Sequence, residues 1–72
     1  MSVKDQVFEA IKQFPSPIRY QDLQRLVPAT PFMLDYAIVG LQREGRIARF
    51  VGRYGIPKNI TEFKINMRGS ES

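Results

Sequence analysis

Residues 30–45 carry a helix with both of its ends written into the sequence. Thr30 is a good N-cap, because its hydroxyl can accept a hydrogen bond from a first-turn N–H. Pro31 suits the first helical position, where a missing N–H is no loss. Leu34, Ala37, Ile38 and Leu41 recur at i, i+3, i+4 and i+7, so they share one face, and Gly45 stands where a left-handed stop is needed. The spacing predicts a helix over Pro31–Glu44 that buries this face. Phe32, Met33, Asp35, Tyr36, Val39, Gln42 and Arg43 are left on the other side. The rest of the chain has to be arranged around this element.

On the N-terminal side, Val3, Val7, Ala10, Ile11 and Phe14 fall at helical spacing, with Phe8 on the flank, and predict a first helix over about Val3–Phe14. Ser2 caps it, and Pro15 and Pro17 end it, because a residue before proline avoids the helical region. Ile18 then forms a short edge strand. A second helix covers Tyr20 to Leu26 or Val27, buried through Leu23, Leu26 and Val27, with Asp22 in its first turn where a carboxylate suits the helix dipole. After Gly45, a strand is expected from Arg46 to about Val51. A second is expected from Ile60 to about Met67, where Phe63, Ile65 and Met67 alternate with Glu62, Lys64 and Asn66. Gly52–Asn59 between them reads as a loop rich in turn residues. The expected fold class is α+β, one domain over residues 1–68 with three helices and a small antiparallel hairpin, followed by a flexible tail at 69–72.

Composition removes several functions. Among the 72 residues there is neither Cys nor His, so thiolate chemistry and the commonest general base and metal ligand are missing. The carboxylates are scattered singly, and no Gly-rich phosphate loop is present. A binding protein is therefore expected, not an enzyme, with no cofactor, no metal and no small-molecule substrate. No apolar run approaches the roughly 18 residues of a membrane-spanning helix, so no membrane partner and a cytoplasmic location are expected. The net charge of +4 invites a polyanion. Through Gly45 acids and bases balance, and the whole excess follows. Arg46, Arg49, Arg53, Lys58, Lys64 and Arg68 are opposed there only by Glu62 and Glu71.

The order helix, short strand, helix, turn, helix, strand, basic loop, strand resembles the winged helix-turn-helix family over about Val3–Met67. The chain looks most like the small prokaryotic and phage regulators, including those of pilus phase variation. The resemblance rests on a helix led by Thr30 and ended by Gly45, an aliphatic Ile47 two positions later, and a basic wing over Arg53–Asn59. It implies a non-enzymatic regulator of transcription that binds double-stranded DNA, with self-association as a homodimer as a further expectation. The third helix would lie in the major groove with Thr30, Phe32, Met33, Tyr36 and Arg43 toward the DNA. Arg53, Tyr54 and Lys58 would meet phosphates or the minor groove, and Arg19 and Tyr20 would meet the backbone on the other side. Arg49 joins this set through its charge.

A second reading stands beside the first. Base-reading helices usually expose Arg, Lys, Asn, Gln or Ser, whereas this one exposes Phe32, Met33, Tyr36 and Val39. A stripe of that type suits contact with another protein, and the same scaffold would then be an adaptor or inhibitor that binds through these four residues.

Overall fold

The computed structural model describes residues 2–71, with side chains through Met67. Its elements are, in order, helix α1 (Val3–Lys12), strand β1 (Ile18–Arg19), helix α2 (Tyr20–Leu26), helix α3 (Pro31–Arg43), strands β2 (Ala48–Phe50) and β3 (Arg53–Gly55), and helix α4 (Pro57–Glu71). The α+β class holds, but the described residues form four helices where three were expected.

Each helix end has a local cause. The Ser2 hydroxyl accepts from the Asp5 N–H at 3.2 Å, and Thr30 Oγ1 accepts from the Met33 N–H at the same distance. Removing such a cap typically costs about 1 kcal/mol. α3 closes as expected. Gly45 has φ +72°, its N–H donates to the Gln42 carbonyl at 3.1 Å, and the Arg46 N–H donates to the Leu41 carbonyl at 3.0 Å. That pair of bonds is a Schellman stop, and it needs a residue that tolerates the left-handed region. At α2, whose start lacks a Ser or Thr cap, the Arg19 N–H donates to Asp22 Oδ2 at 3.3 Å.

Val7, Ala10 and Ile11 of α1 meet Leu23 and Val27 around the buried face of α3, with Ile18 and Ile47 closing the sheet side. Leu34, Ala37, Ile38 and Leu41 are all buried, as their spacing requires. No polar side chain among the described residues is buried. Two expected core residues are not inside. Phe14 lies past the end of α1, which stops at Lys12, and Leu26 points outward while its neighbour Val27 turns in.

The three strands form an antiparallel sheet in the order β1-β3-β2. Ile18 pairs with Tyr54 and Arg19 with Arg53, while Ala48, Arg49 and Phe50 pair with Gly55, Tyr54 and Arg53. The expected loop over 52–59 is thus replaced. Since Phe50 opposes Arg53, only Val51 and Gly52 connect β2 to β3, at φ +53° and +73°. Two consecutive left-handed residues are what a tight type I′ hairpin requires, and Asn-Gly is the usual sequence for it. For a β-branched Val the left-handed region costs on the order of 1–2 kcal/mol.

The strand expected over Ile60–Met67 is a helix, and this is the principal correction. Pro57 takes the first helical position, and Ile60 then falls on the inward face and is buried. Ile56, Ile60, Phe63 and Met67 recur at helical spacing, whereas Ile65, central to the alternating pattern, is 61% exposed. Asn59 Nδ2 donates to the Phe14 carbonyl at 3.3 Å and ties the first turn of α4 to the end of α1. The expected tail, 69–72, lies outside the residues whose side chains are described.

Candidate nucleic-acid interface

Strand pairing sorts the basic residues before any ligand is considered. Side chains alternate across a strand, and directly opposed residues share a face. One row of the sheet is Arg19, Arg53 and Phe50, and the other is Ile18, Tyr54 and Arg49. Ile18 is buried and Tyr54 packs against the core, so the second row faces inward, with Arg49 exposed at its margin and its guanidinium carbon 5.9 Å from the Tyr54 ring centroid. The first row faces outward under α4. There Phe63 meets Phe50 edge-on, with centroids 6.0 Å apart and planes at 74°. The Arg53 guanidinium lies 5.7 Å from the Phe63 centroid, and Lys64 Nζ lies 5.0 Å from that of Phe50. Stacking of this kind holds a cation in place without neutralising it.

Arg19 and Arg53 are therefore directly opposed like charges, an arrangement that destabilises a strand pair unless something anionic lies between or above them. No carboxylate among the described residues forms an ion pair with either. Together with Tyr20, Gln21, Val51 and Gly52 they line a cleft of about 440 Å³ between the start of α2 and the β2–β3 turn. Gln21, Val51 and Lys64 were not among the expected site residues. No periodic or charge pattern marks the first two, and Lys64 was assigned to a strand facing solvent.

The remaining expected residues divide into separate places. The Asp35 carboxylate of α3 beside the Tyr20 phenol, as hydrogen-bond acceptor and as a nearby charge, together with some desolvation, raises the phenol above its ordinary value of 10.0. Lys58 belongs to the first turn of α4, not to the hairpin turn. The Thr30 hydroxyl oxygen is engaged as a cap. On α3, Phe32 and Tyr36 are 80% and 78% exposed, and Met33 and Val39 are also exposed. With Val3, Lys4 and Arg43 these four residues line an open groove of about 590 Å³ along the N-terminal end of α1. The apolar stripe is a surface, as its spacing indicated, and lies apart from the Arg19–Arg53 cleft.

Arg46, counted with the basic excess, has a structural task. Its guanidinium carbon sits 4.1 Å from the Phe8 centroid, and it pairs with Glu44 at 3.5 Å. Glu44 also accepts from Lys4. The Lys4 contact is the main reason that the Glu44 carboxyl is held below its ordinary 4.5, with Arg46 adding to it against some desolvation. A carboxyl held low in the folded state contributes stability that is complete above pH 4.5 and is lost as pH falls through the lowered value. Lys4→Met should therefore flatten the acid side of a plot of urea midpoint against pH. An acid limb the same as that of the parent protein would show that Lys4 does not hold this carboxylate.

No group of His, Cys, Asp or Glu among the described residues is arranged to hold a metal, and no described helix is long and apolar enough to cross a membrane. Comparison with known protein families, with curated proteins and with solved structures finds no match to this chain.

Proposed function

We propose that this chain is a non-enzymatic DNA-binding protein of the winged helix-turn-helix type, acting as a small regulator of transcription. In this reading α2 and α3 are the helix-turn-helix pair, β2 and β3 are the wing, and α4 is a brace behind the wing. The observation that carries it is the unneutralised opposition of Arg19 and Arg53 beside an open cleft. Phosphate groups relieve that repulsion, and the rigid fork of arginine matches their geometry. Arg49 and Lys64 extend the cationic surface around the sheet, and Arg43 adds a charge at the far end of α3. Tyr36 and Phe32 supply ring surfaces for thymine methyl groups in the major groove.

The test is anisotropy of a labelled duplex at about 50 and 200 mM salt. With four to five phosphates engaged, log affinity should fall against log salt with a slope of about −4.

A second reading is favoured by the groove beside α1, where Phe32 and Tyr36 are more exposed than an isolated domain requires. On that reading α3 binds another protein. Absence of duplex binding at both salts, with capture of a partner that Tyr36→Ala abolishes, would decide for it.

A further inference from the structure

Gly40 lies inside α3, where a glycine weakens a helix relative to alanine. The folded chain does not itself require it there. Its φ is outside the left-handed region, and the nearest atoms that a methyl group would meet belong to the Lys4 side chain. Cε would be 3.5 Å away and Nζ 3.7 Å, which is ordinary contact. What the missing methyl leaves is depth in the groove between α3 and the start of α1, which Gly40 lines. Phe32, Tyr36, Val39 and Arg43 recur at i, i+4, i+7 and i+11 along the same groove. They form one stripe roughly 16 Å long, at about 1.5 Å per residue, and Gly40 is a gap beside it.

We propose that this groove seats an amphipathic helix of a partner protein, with its apolar stripe packed on Gly40 and carboxylates on its flanks. The inference rests on the second reading above, of α3 as a protein-binding face, and adds the form and charge of what binds there. Backbone satisfaction decides the form. An extended segment would press its N–H and C=O groups against apolar walls. The backbone groups within α3 are bonded along the helix, and the Ser2 hydroxyl is engaged as a cap. A helix brings its own backbone bonds and docks through anchors at i, i+3, i+4 and i+7. About three turns match the stripe. Charge decides the flanks. Lys4 and Arg43 line the groove and no carboxylate does, and Arg43 forms no ion pair with a described carboxylate. A second copy of this chain suits the groove less. Its α3 carries one carboxylate, Asp35, and two chains of net charge +4 would repel. A helix seated here covers Phe32 and Tyr36, so it and a duplex exclude each other on α3.

Two labelled peptides of about 18 residues, long enough to become helical on docking, test form and charge together. They share a leucine stripe at i, i+3, i+4 and i+7 and differ only in flanks of Glu or of Lys. In anisotropy titrations the parent protein should bind the Glu peptide at least about tenfold more tightly than the Lys peptide. Arg43→Glu, at an exposed position, should narrow that ratio to about twofold or less. Gly40→Ala should melt about 2–8 °C higher than the parent, from helix propensity. It should nevertheless bind the Glu peptide at least about fivefold more weakly, since a methyl group then stands where the partner packs. Equal binding of the two peptides by the parent would overturn the acidic partner. A Gly40→Ala protein that binds as tightly as the parent, or melts no higher, would overturn the seating on Gly40. Dimerisation of the parent alone in sedimentation, lost in Gly40→Ala, would give the groove to a second copy instead. If neither peptide binds while a partner is still captured through Tyr36, the acidic helix fails and the protein-binding reading stands. With neither peptide nor partner bound, both fail.

Discussion

Leu34→Ala should leave most of the protein unfolded at room temperature. Leu34 is fully buried on the inner face of α3, where α1, α2 and the sheet side converge in one core. Truncating a leucine there removes its transfer free energy and leaves a cavity, together about 2–5 kcal/mol. A single core of this size, with no cysteine to supply a disulfide, supplies roughly 3–5 kcal/mol in total, so the loss matches the whole. Far-UV circular dichroism at rising urea gives the outcome directly. The parent protein should show a cooperative transition, and the variant should begin beyond its midpoint. Phe32→Ala is the internal comparison: a ring that is 80% exposed should change stability by less than about 0.5 kcal/mol. A Leu34→Ala midpoint close to that of the parent protein would mean that the core is organised around some other element.

Replacing both Arg19 and Arg53 with alanine should have the largest effect on binding and the opposite sign on folding. If each guanidinium meets one phosphate, the salt slope becomes shallower by about 1.8. Affinity at low salt should fall by roughly ten- to a hundredfold, from two charge-assisted contacts of about 1 kcal/mol or more each. The two residues are directly paired across β1 and β3, so removing them also removes a like-charge repulsion, and thermal stability should be unchanged or slightly higher. Anisotropy and a thermal melt on the same preparation check both halves. Undiminished duplex binding by the double variant would remove the basis of the proposed function. Weakened binding with a collapsed melt would mean that the pair serves the sheet and not a ligand.

The first three helices could be read from their residues because each signal was local and had one interpretation. Thr30 and Pro31 start α3, Gly45 stops it, and the four-residue inner stripe fits no other period. The short β1 was legible because Pro15 and Pro17 isolate Ile18. The C-terminal third was not, for two physical reasons. A type I′ turn is ordinarily announced by Asn-Gly, and Val51-Gly52 carries half of that signal, so the hairpin was drawn too wide. The residues from Ile60 to Met67 satisfy both a period of two and a helical period. The arbiter was Pro57, whose fixed φ begins a helix, together with the burial of Ile60, which depends on packing that no local pattern contains. The candidate site inherits that error. Arg19 and Arg53 were recognised as cations, but their opposition depends on strand register, and register depends on a turn that could not be seen.

The position of α4 gives the sheet a property that its three short strands would lack alone. Arg53 is aimed by Phe63, and Phe63 is held by Phe50, so the direction of a charged side chain on β3 is fixed by a ring that arrives from a later helix. On the proposed reading, the hairpin cation and the ring beside it thus come from distinct lengths of chain, and sequence change along α4 should alter binding by tilting the Arg53 guanidinium as well as through what Lys64 contributes directly.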